Sequence, residues 1–479
     1  VAEAPIWQWS AVQTAAAIRA GKASAQEVTS AHIARLRTAN PALNAVVVDL
    51  TEQALQSAKA ADAHQAAGGV LGDLHGVPVT IKINIDVEGQ ANSNGVVAFS
   101  ENIAPGDSPV TANLKAAGAV ILGMTNTPEF SMRWFTDNRL HGLTLNPWDK
   151  AITCGGSSGG AGASVAAGIG AIAHGNDIGG SLRWPAYCNG VATIKSTQGR
   201  IAAFNPSAPV ERPLMAQFMS TQGPLAREVA DVRLGLEVMC RRDPRDPWWV
   251  PAPLVGPPPQ KPIKVAVAKL PDDMTADPRV MALISRAADH LANAGYDVVE
   301  AEVPDLNGTW QLWCDLISTE MSTLQLRQMR EVGSSDLNGA INGMLELATI
   351  LDLEGYMKAI AHRSRVIRNW LAFLEARPLI LTPLSVKPTP AVNADLAGGE
   401  TLRTHFWNDL RFCSAINVLG LPAAVVPIGL VDGHPVGAQL IASRYREDLC
   451  LDAAQAIESE VGVMSKRLWT REDVLAAAG

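Results

Sequence analysis

Two glycine-rich segments hold the side chains best suited to chemistry. The first is Cys154-Gly-Gly-Ser157-Ser158-Gly-Gly160, and the second is Gly175-Asn-Asp177-Ile178-Gly179-Gly180-Ser181-Leu-Arg183-Trp-Pro185. Clustered glycines cost conformational entropy on folding, so they need a reason. One reason is close backbone approach with several N–H groups turned to a single anion. On that reading Ser181 is a nucleophile beside its own oxyanion hole, built from Ile178, Gly179, Gly180 and Ser181. The other reading is a pair of surface turns, with Ser157 and Ser158 capping the helix that follows. Lys82, taken alone on the polar face of a strand, is most simply a solvated lysine. Asp177 and Arg183 fit a supporting role, bracing the loop through hydrogen bonds rather than reacting.

The spacing of these groups is more specific than any one of them. Gly155-Gly-Ser157-Ser158-Gly-Gly160 and Asp177-Ile-Gly-Gly-Ser181-Leu-Arg183 resemble the two halves of the amidase signature. Lys82, in Gly76-Val-Pro-Val-Thr-Ile-Lys82, matches that family's lysine motif, at the expected separations from Ser157 and Ser181. Thr125-Asn-Thr-Pro-Glu-Phe130, Thr136-Asp-Asn138, Asn146-Pro-Trp-Asp149 and Lys195-Ser-Thr-Gln-Gly-Arg200 also match. So do Gly420-Leu-Pro-Ala and Gly433-His-Pro-Val-Gly-Ala-Gln439, and the likeness runs from about residue 7 to residue 460. The chain departs at Asn176, where Ser is more usual, and at Cys154 and Trp184. These positions bear on the substrate more than on the reaction.

The resemblance implies an amide hydrolase that works through a Ser–Ser–Lys relay. Ser181 attacks, Ser157 passes its proton on, and Lys82 is the base. The Gly156–Ser157 bond is expected to be cis. Lys82 must be neutral to act as a base. Lowering its pKa from ~10.4 to about 7–8 disfavours the charged form by roughly 3–5 kcal/mol, which burial can supply. Ser158, Asp177 and Arg183 are expected to support the site. By the same carry-over Ser131, Met132, Trp134 and Trp184 contact substrate, with Trp310, Trp313, Met321 and Trp407 as further apolar candidates, although stripes of this kind are more often core. The partner is a small-molecule amide, and family habit adds a homodimer. No cofactor or metal is implied. The nine histidines form no His-Glu-x-x-His or Cys/His pairing.

The elements that must position these groups are partly readable. Ser24-Ala-Gln-Glu27 is a capping box within a helical segment, residues 1–70. Val79, Ile81, Ile83 and Ile85 alternate with Thr80, Lys82, Asn84 and Asp86, the period of a strand. Ser108-Pro109 starts a short helix to Gly118, and Ala119–Leu122 follows as a buried strand. A second strand–helix–strand unit spans Lys264–Ala268, Pro278–Ala294 and Asp297–Ala301. Pro251–Pro262, with six prolines, reads as a linker or surface crossing. Residues 310–375 read as helical and as a pocket region. Leu379–Pro383 and Ala423–Ile428 read as strands, and the weakly polar run Ala161–Ala173 as a buried helix. The expectation is one α/β domain over 1–479 with its signature core at 71–205. Its large, mixed, mostly parallel-core twisted sheet is covered by helices on both faces.

Composition limits the alternatives. A chain of 479 residues, 47% hydrophobic, can bury a large core. The net charge of −8 and the lack of a long basic run argue against nucleic acid. The longest weakly polar run is too short to span a membrane. Six scattered cysteines without a Cys-x-x-Cys pair fit a reducing compartment, so a cytoplasmic location is expected. The opening Val-Ala-Glu-Ala-Pro lacks the features of a signal peptide, although without an initiator Met a leader before Val1 stays open. Gly168-Ile-Gly170 follows no strand and has no acid about 20 residues on, which excludes a dinucleotide fingerprint. Two other functions stand beside a free amide hydrolase: the glutaminase-type subunit of a tRNA-dependent amidotransferase, and a non-catalytic scaffold. The stretch Ile201–Gly223 does not resemble the corresponding loop of such an amidotransferase, and a scaffold need not keep all three catalytic groups.

Overall fold

The computed structural model describes residues 4–471. The opening residues at Val1 and the last eight positions lie outside them. Eleven strands form one sheet, in the order β1-β3-β2-β4-β6-β5-β10-β11-β9-β7-β8. In chain order these are β1 Val46–Asp49, β2 Pro78–Lys82, β3 Val120–Thr125, β4 Ile172–Asp177, β5 Ala192–Lys195 and β6 Thr221–Ala226. They continue with β7 Lys264–Ala268, β8 Asp297–Ala301, β9 Leu379–Pro383, β10 Ala423–Val431 and β11 His434–Ala442. Every residue of β2, β3, β6 and β9 is buried. Side chains alternate between the faces of a strand, so full burial means that both faces of the sheet are covered.

Both strand–helix–strand units are present. Ser108 caps the helix Pro109–Ala116 through the Thr111 N–H, and β2 and β3 pair in parallel around it. The helix Pro278–Asn293 likewise joins β7 to its parallel neighbour β8. The capping box forms as expected: Ser24 N–H reaches Glu27 Oε2 at 2.8 Å and Glu27 N–H reaches Ser24 Oγ at 3.1 Å.

The sheet is mixed, but its parallel pairing is confined to two blocks, β3-β2-β4 and β9-β7-β8. Between them β4 through β9 run antiparallel. The hairpin β10–β11 and the long excursion from β4 to β6 create that centre. The expected strand from Val79 stops at Lys82, and its polar face is buried rather than wet. The small-residue run divides: Gly159–Ala166 is helix, and Ile172 already belongs to β4. Residues 310–375 are helical except at 333–334 and 348–352, with a π-helical turn at Met321–Gln325. Pro251–Pro262 has no helix or strand, and is held where Arg200 Nη1 donates to the carbonyls of Ala252 and Pro253 at 2.7 and 2.9 Å.

Candidate active site

Parallel pairing of β2 with β4 brings their C-terminal ends together. Lys82 ends one strand, and Asn176 and Asp177 end the other. Lys82 Nζ lies 2.7 Å from Ser157 Oγ and donates to Asn176 Oδ1 at 2.8 Å. Lys82 is fully buried, and burial drives its pKa well below the ordinary lysine value against the opposing charge of Asp177. The solvated-lysine reading therefore fails. A second buried lysine, Lys195, is brought to about 7 by burial and by the charge of Arg183, but it donates to the Ser196 carbonyl at 3.2 Å rather than meeting a serine hydroxyl.

Ser157 follows a cis Gly156–Ser157 bond and precedes the helix Gly159–Ala166. Glycine is needed at 156 because a Cβ there would come within 2.6 Å of the Phe135 nitrogen. Neither serine caps the helix in the usual way, since Ser158 at the N-cap makes no side-chain cap bond. Ser158 instead exchanges hydrogen bonds with the Asn176 backbone, at 3.3 and 3.4 Å. Its N–H donates to Ser181 O at 3.1 Å, tying the two serine segments together.

Asp177 and Arg183 form the brace beneath the Ser181 loop. Arg183 Nε and Nη2 each reach Asp177 at 2.9 Å. The remaining guanidinium donors reach Asn417 Oδ1, Cys413 O and Gln439 Oε1. Burial alone would raise the Asp177 pKa. The Arg183 charge and hydrogen bonds outweigh it and hold the carboxyl well below the usual range. Asp177 Oδ1 also accepts the Gly180 N–H at 2.8 Å, and Oδ2 accepts that of Leu182 at 3.2 Å. Gly180 is therefore not a free oxyanion donor. Among the described residues the N–H groups of Ile178, Gly179 and Ser181 meet no acceptor.

A cavity of about 560 Å3 opens onto Ser157, Ser181 and Asn176. Ser131 and Met132 line it, with Phe130, Phe204, Trp248 and Met329 as apolar wall. Trp134 and Trp184 do not. Trp184 is fully buried and donates its indole N–H to Trp134 O at 3.0 Å; Trp134 donates to Gly179 O at 2.9 Å. Their expected contact with substrate is corrected accordingly, because both indoles are committed to backbone carbonyls. Trp310, Trp313, Met321 and Trp407 are likewise absent from the lining, and of the stretch 310–375 only Gln325 and Met329 reach it.

One part of the site was not anticipated. Asn84 and Asn176 form a reciprocal amide pair, Nδ2 of Asn176 to Oδ1 of Asn84 at 2.9 Å and the reverse at 3.2 Å. Asn84 Nδ2 also donates to Ser131 Oγ at 3.0 Å, and Ser131 donates to Asn94 Oδ1 at 2.7 Å. Ser131 is thus part of the polar wall that orients Lys82. The alternation of Lys82 with Asn84 hinted at a shared face, but nothing in the sequence put Asn94 or Asn176 beside it.

Among the described residues no group of three or more His, Cys, Asp or Glu is placed to hold a metal, and no helix is long and apolar enough to cross a membrane. A family profile for amidases matches residues 27–451. The chain is 63% identical to an indoleacetamide hydrolase of Bradyrhizobium diazoefficiens, over 98% of this chain and 90% of that protein. It is 32% identical to a glutamyl-tRNA(Gln) amidotransferase subunit of Moorella thermoacetica, over 93% of this chain and 95% of that one. A solved structure of 6-aminohexanoate cyclic dimer hydrolase with substrate matches with a TM-score of 0.82 and 27% identity, covering 98% of this chain and all of that one. The chain therefore belongs to the amidase signature family and hydrolyses amide C–N bonds.

Proposed function

We propose that the substrate is indoleacetamide, hydrolysed to indoleacetate and ammonia through an acyl-enzyme on Ser181. The 63% identity to a protein of that name carries the substrate. An aromatic cavity wall suits an indole ring. The distant 32% likeness to the amidotransferase component makes that reading the weaker one.

In the proposed mechanism neutral Lys82 takes the Ser157 hydroxyl proton while Ser157 takes that of Ser181. Ser181 Oγ then attacks the amide carbon. The N–H groups of Ile178, Gly179 and Ser181 hold the oxyanion. The proton returns through Ser157 to the departing ammonia, and water cleaves the ester by the same route. The 2.7 Å contact of a buried, pKa-depressed Lys82 with Ser157 supports this reading. Six unpaired cysteines support a reducing, cytoplasmic setting, and family habit supports a homodimer. The test is ammonia release by the purified chain from indoleacetamide, with glutamine as the comparison. Preference for glutamine would favour the amidotransferase reading.

A further inference from the structure

Two tryptophans meet consecutive carbonyls of the loop that carries Ser181. Trp313, on the helix Leu306–Glu320, donates its indole N–H to Ile178 O at 2.8 Å. Trp134 donates to Gly179 O at 2.9 Å. The two rings stack, with centroids 6.2 Å apart and an interplanar angle of 26°. Both are buried outside the cavity lining. We infer that Trp313 and Trp134 are positioning residues that set the peptide planes of the oxyanion loop, with Trp313 turning the Gly179 N–H toward the developing oxyanion.

The reason is the planarity of the peptide unit. In a trans peptide the C=O and the following N–H point in opposite directions. An indole on Ile178 O therefore sends the Gly179 N–H to the side away from Trp313. The next peptide is tied at both ends, its carbonyl to Trp134 and its N–H to Asp177 Oδ1 at 2.8 Å. That tie removes Gly180 as a donor and stops the pair of planes from rotating. Without such ties a Gly-Gly segment has unusual backbone freedom. Oxyanion donors lower a barrier only when they are already aimed, because reorienting them during the reaction consumes the gain.

The packing agrees with a fixed geometry. A Cβ at position 179 would come within 2.5 Å of Trp313 Cζ2, and one at 180 within 2.3 Å of Cys413 Sγ. Trp184 in turn holds the Trp134 backbone through its carbonyl at 3.0 Å. Buried indole N–H groups usually find an acceptor, although that of Trp310 has none among the described residues. What sets these two apart is that their acceptors are successive peptides of one loop.

This inference rests on the proposed Ser181 acyl-enzyme, and its test separates the two. Trp313→Phe and Trp134→Phe keep an aromatic ring and remove the donor. For each, kcat and KM on indoleacetamide are measured beside the inhibition constant of an arylboronic acid, whose tetrahedral adduct on serine places an oxygen in the oxyanion site. The expected result for Trp313→Phe is a kcat lower by roughly ten- to a hundredfold, a KM within about twofold, and a boronate affinity that falls in step with kcat/KM. Trp134→Phe should show a smaller loss of the same pattern. Folded variants with unchanged kcat/KM and boronate affinity would overturn the inference, as would a lower kcat with unchanged boronate affinity. If Trp313→Phe does not fold, Trp134→Phe decides by the same readings. A wild-type enzyme inactive on indoleacetamide would remove the substrate reading, while the boronate comparison would still judge the tryptophans.

Discussion

Lys82 Nζ lies 2.7 Å from Ser157 Oγ at the end of a fully buried strand. Its second contact, 2.8 Å to Asn176 Oδ1, takes up one N–H and leaves the lone pair of the neutral amine for the serine. Burial opposes the ammonium form. A base whose pKa is depressed becomes active above that lowered pKa. The rate on indoleacetamide should therefore rise with pH along a limb centred well below the ordinary lysine value of ~10.4. A limb centred at or above that value would contradict the assignment.

The same relay separates two substitutions. Lys82→Ala should lower kcat by about 10²–10⁴-fold, the usual worth of a general base. Lys82→Arg should not recover it, because a guanidinium stays protonated. Steady-state rates of the two variants, with folding checked by circular dichroism, make the comparison. Near-normal turnover by Lys82→Arg would reduce Lys82 to a fixed charge.

Asn84 reaches the lysine only through Asn176. Replacing it by Leu frees the Asn176 amide to turn and withdraws the fixed carbonyl acceptor that favours the charged lysine. Asn84→Leu should cost about tenfold in kcat, near the worth of one hydrogen bond, and should move the acidic limb to lower pH. A pH–rate profile of the variant tests both. An unmoved midpoint would show that Asn84 acts on packing alone.

Arg183 should matter to folding. Arg183→Met leaves Asp177 charged and buried without its partner, a change worth about 3–5 kcal/mol. Denaturant unfolding should show a loss of that order. A variant as stable as wild type would mean that Asp177 is held by its other donors.

The pattern of what could be read from sequence follows from physics. β7, β8 and β9 match their expected ranges residue for residue, because short apolar runs bounded by Pro or Gly leave few choices. β4 was hidden, since Ala and Gly around Ile172 carry neither a helical nor a strand period. Spacing singles out Lys82, Ser157 and Ser181, and the structure sets the first two 2.7 Å apart, yet alternation cannot tell a wet polar face from a buried one. The roles of Asn84, Trp134 and Trp313 depend on partners distant in sequence, and indole or amide contacts with remote backbone leave no local pattern.

The nucleophile is the centre of the account, and a covalent label tests it most directly. Ser157 and Ser181 both line the cavity, but Ser157 is engaged with Lys82, and Ser158 with the Asn176 backbone. The enzyme is reacted with a fluorophosphonate, digested, and the modified peptide is sequenced by mass spectrometry. The account predicts a single adduct on Ser181, absent from a folded Ser181→Ala variant that has also lost turnover. An adduct on Ser157 or Ser158, or unchanged turnover by Ser181→Ala, would contradict it.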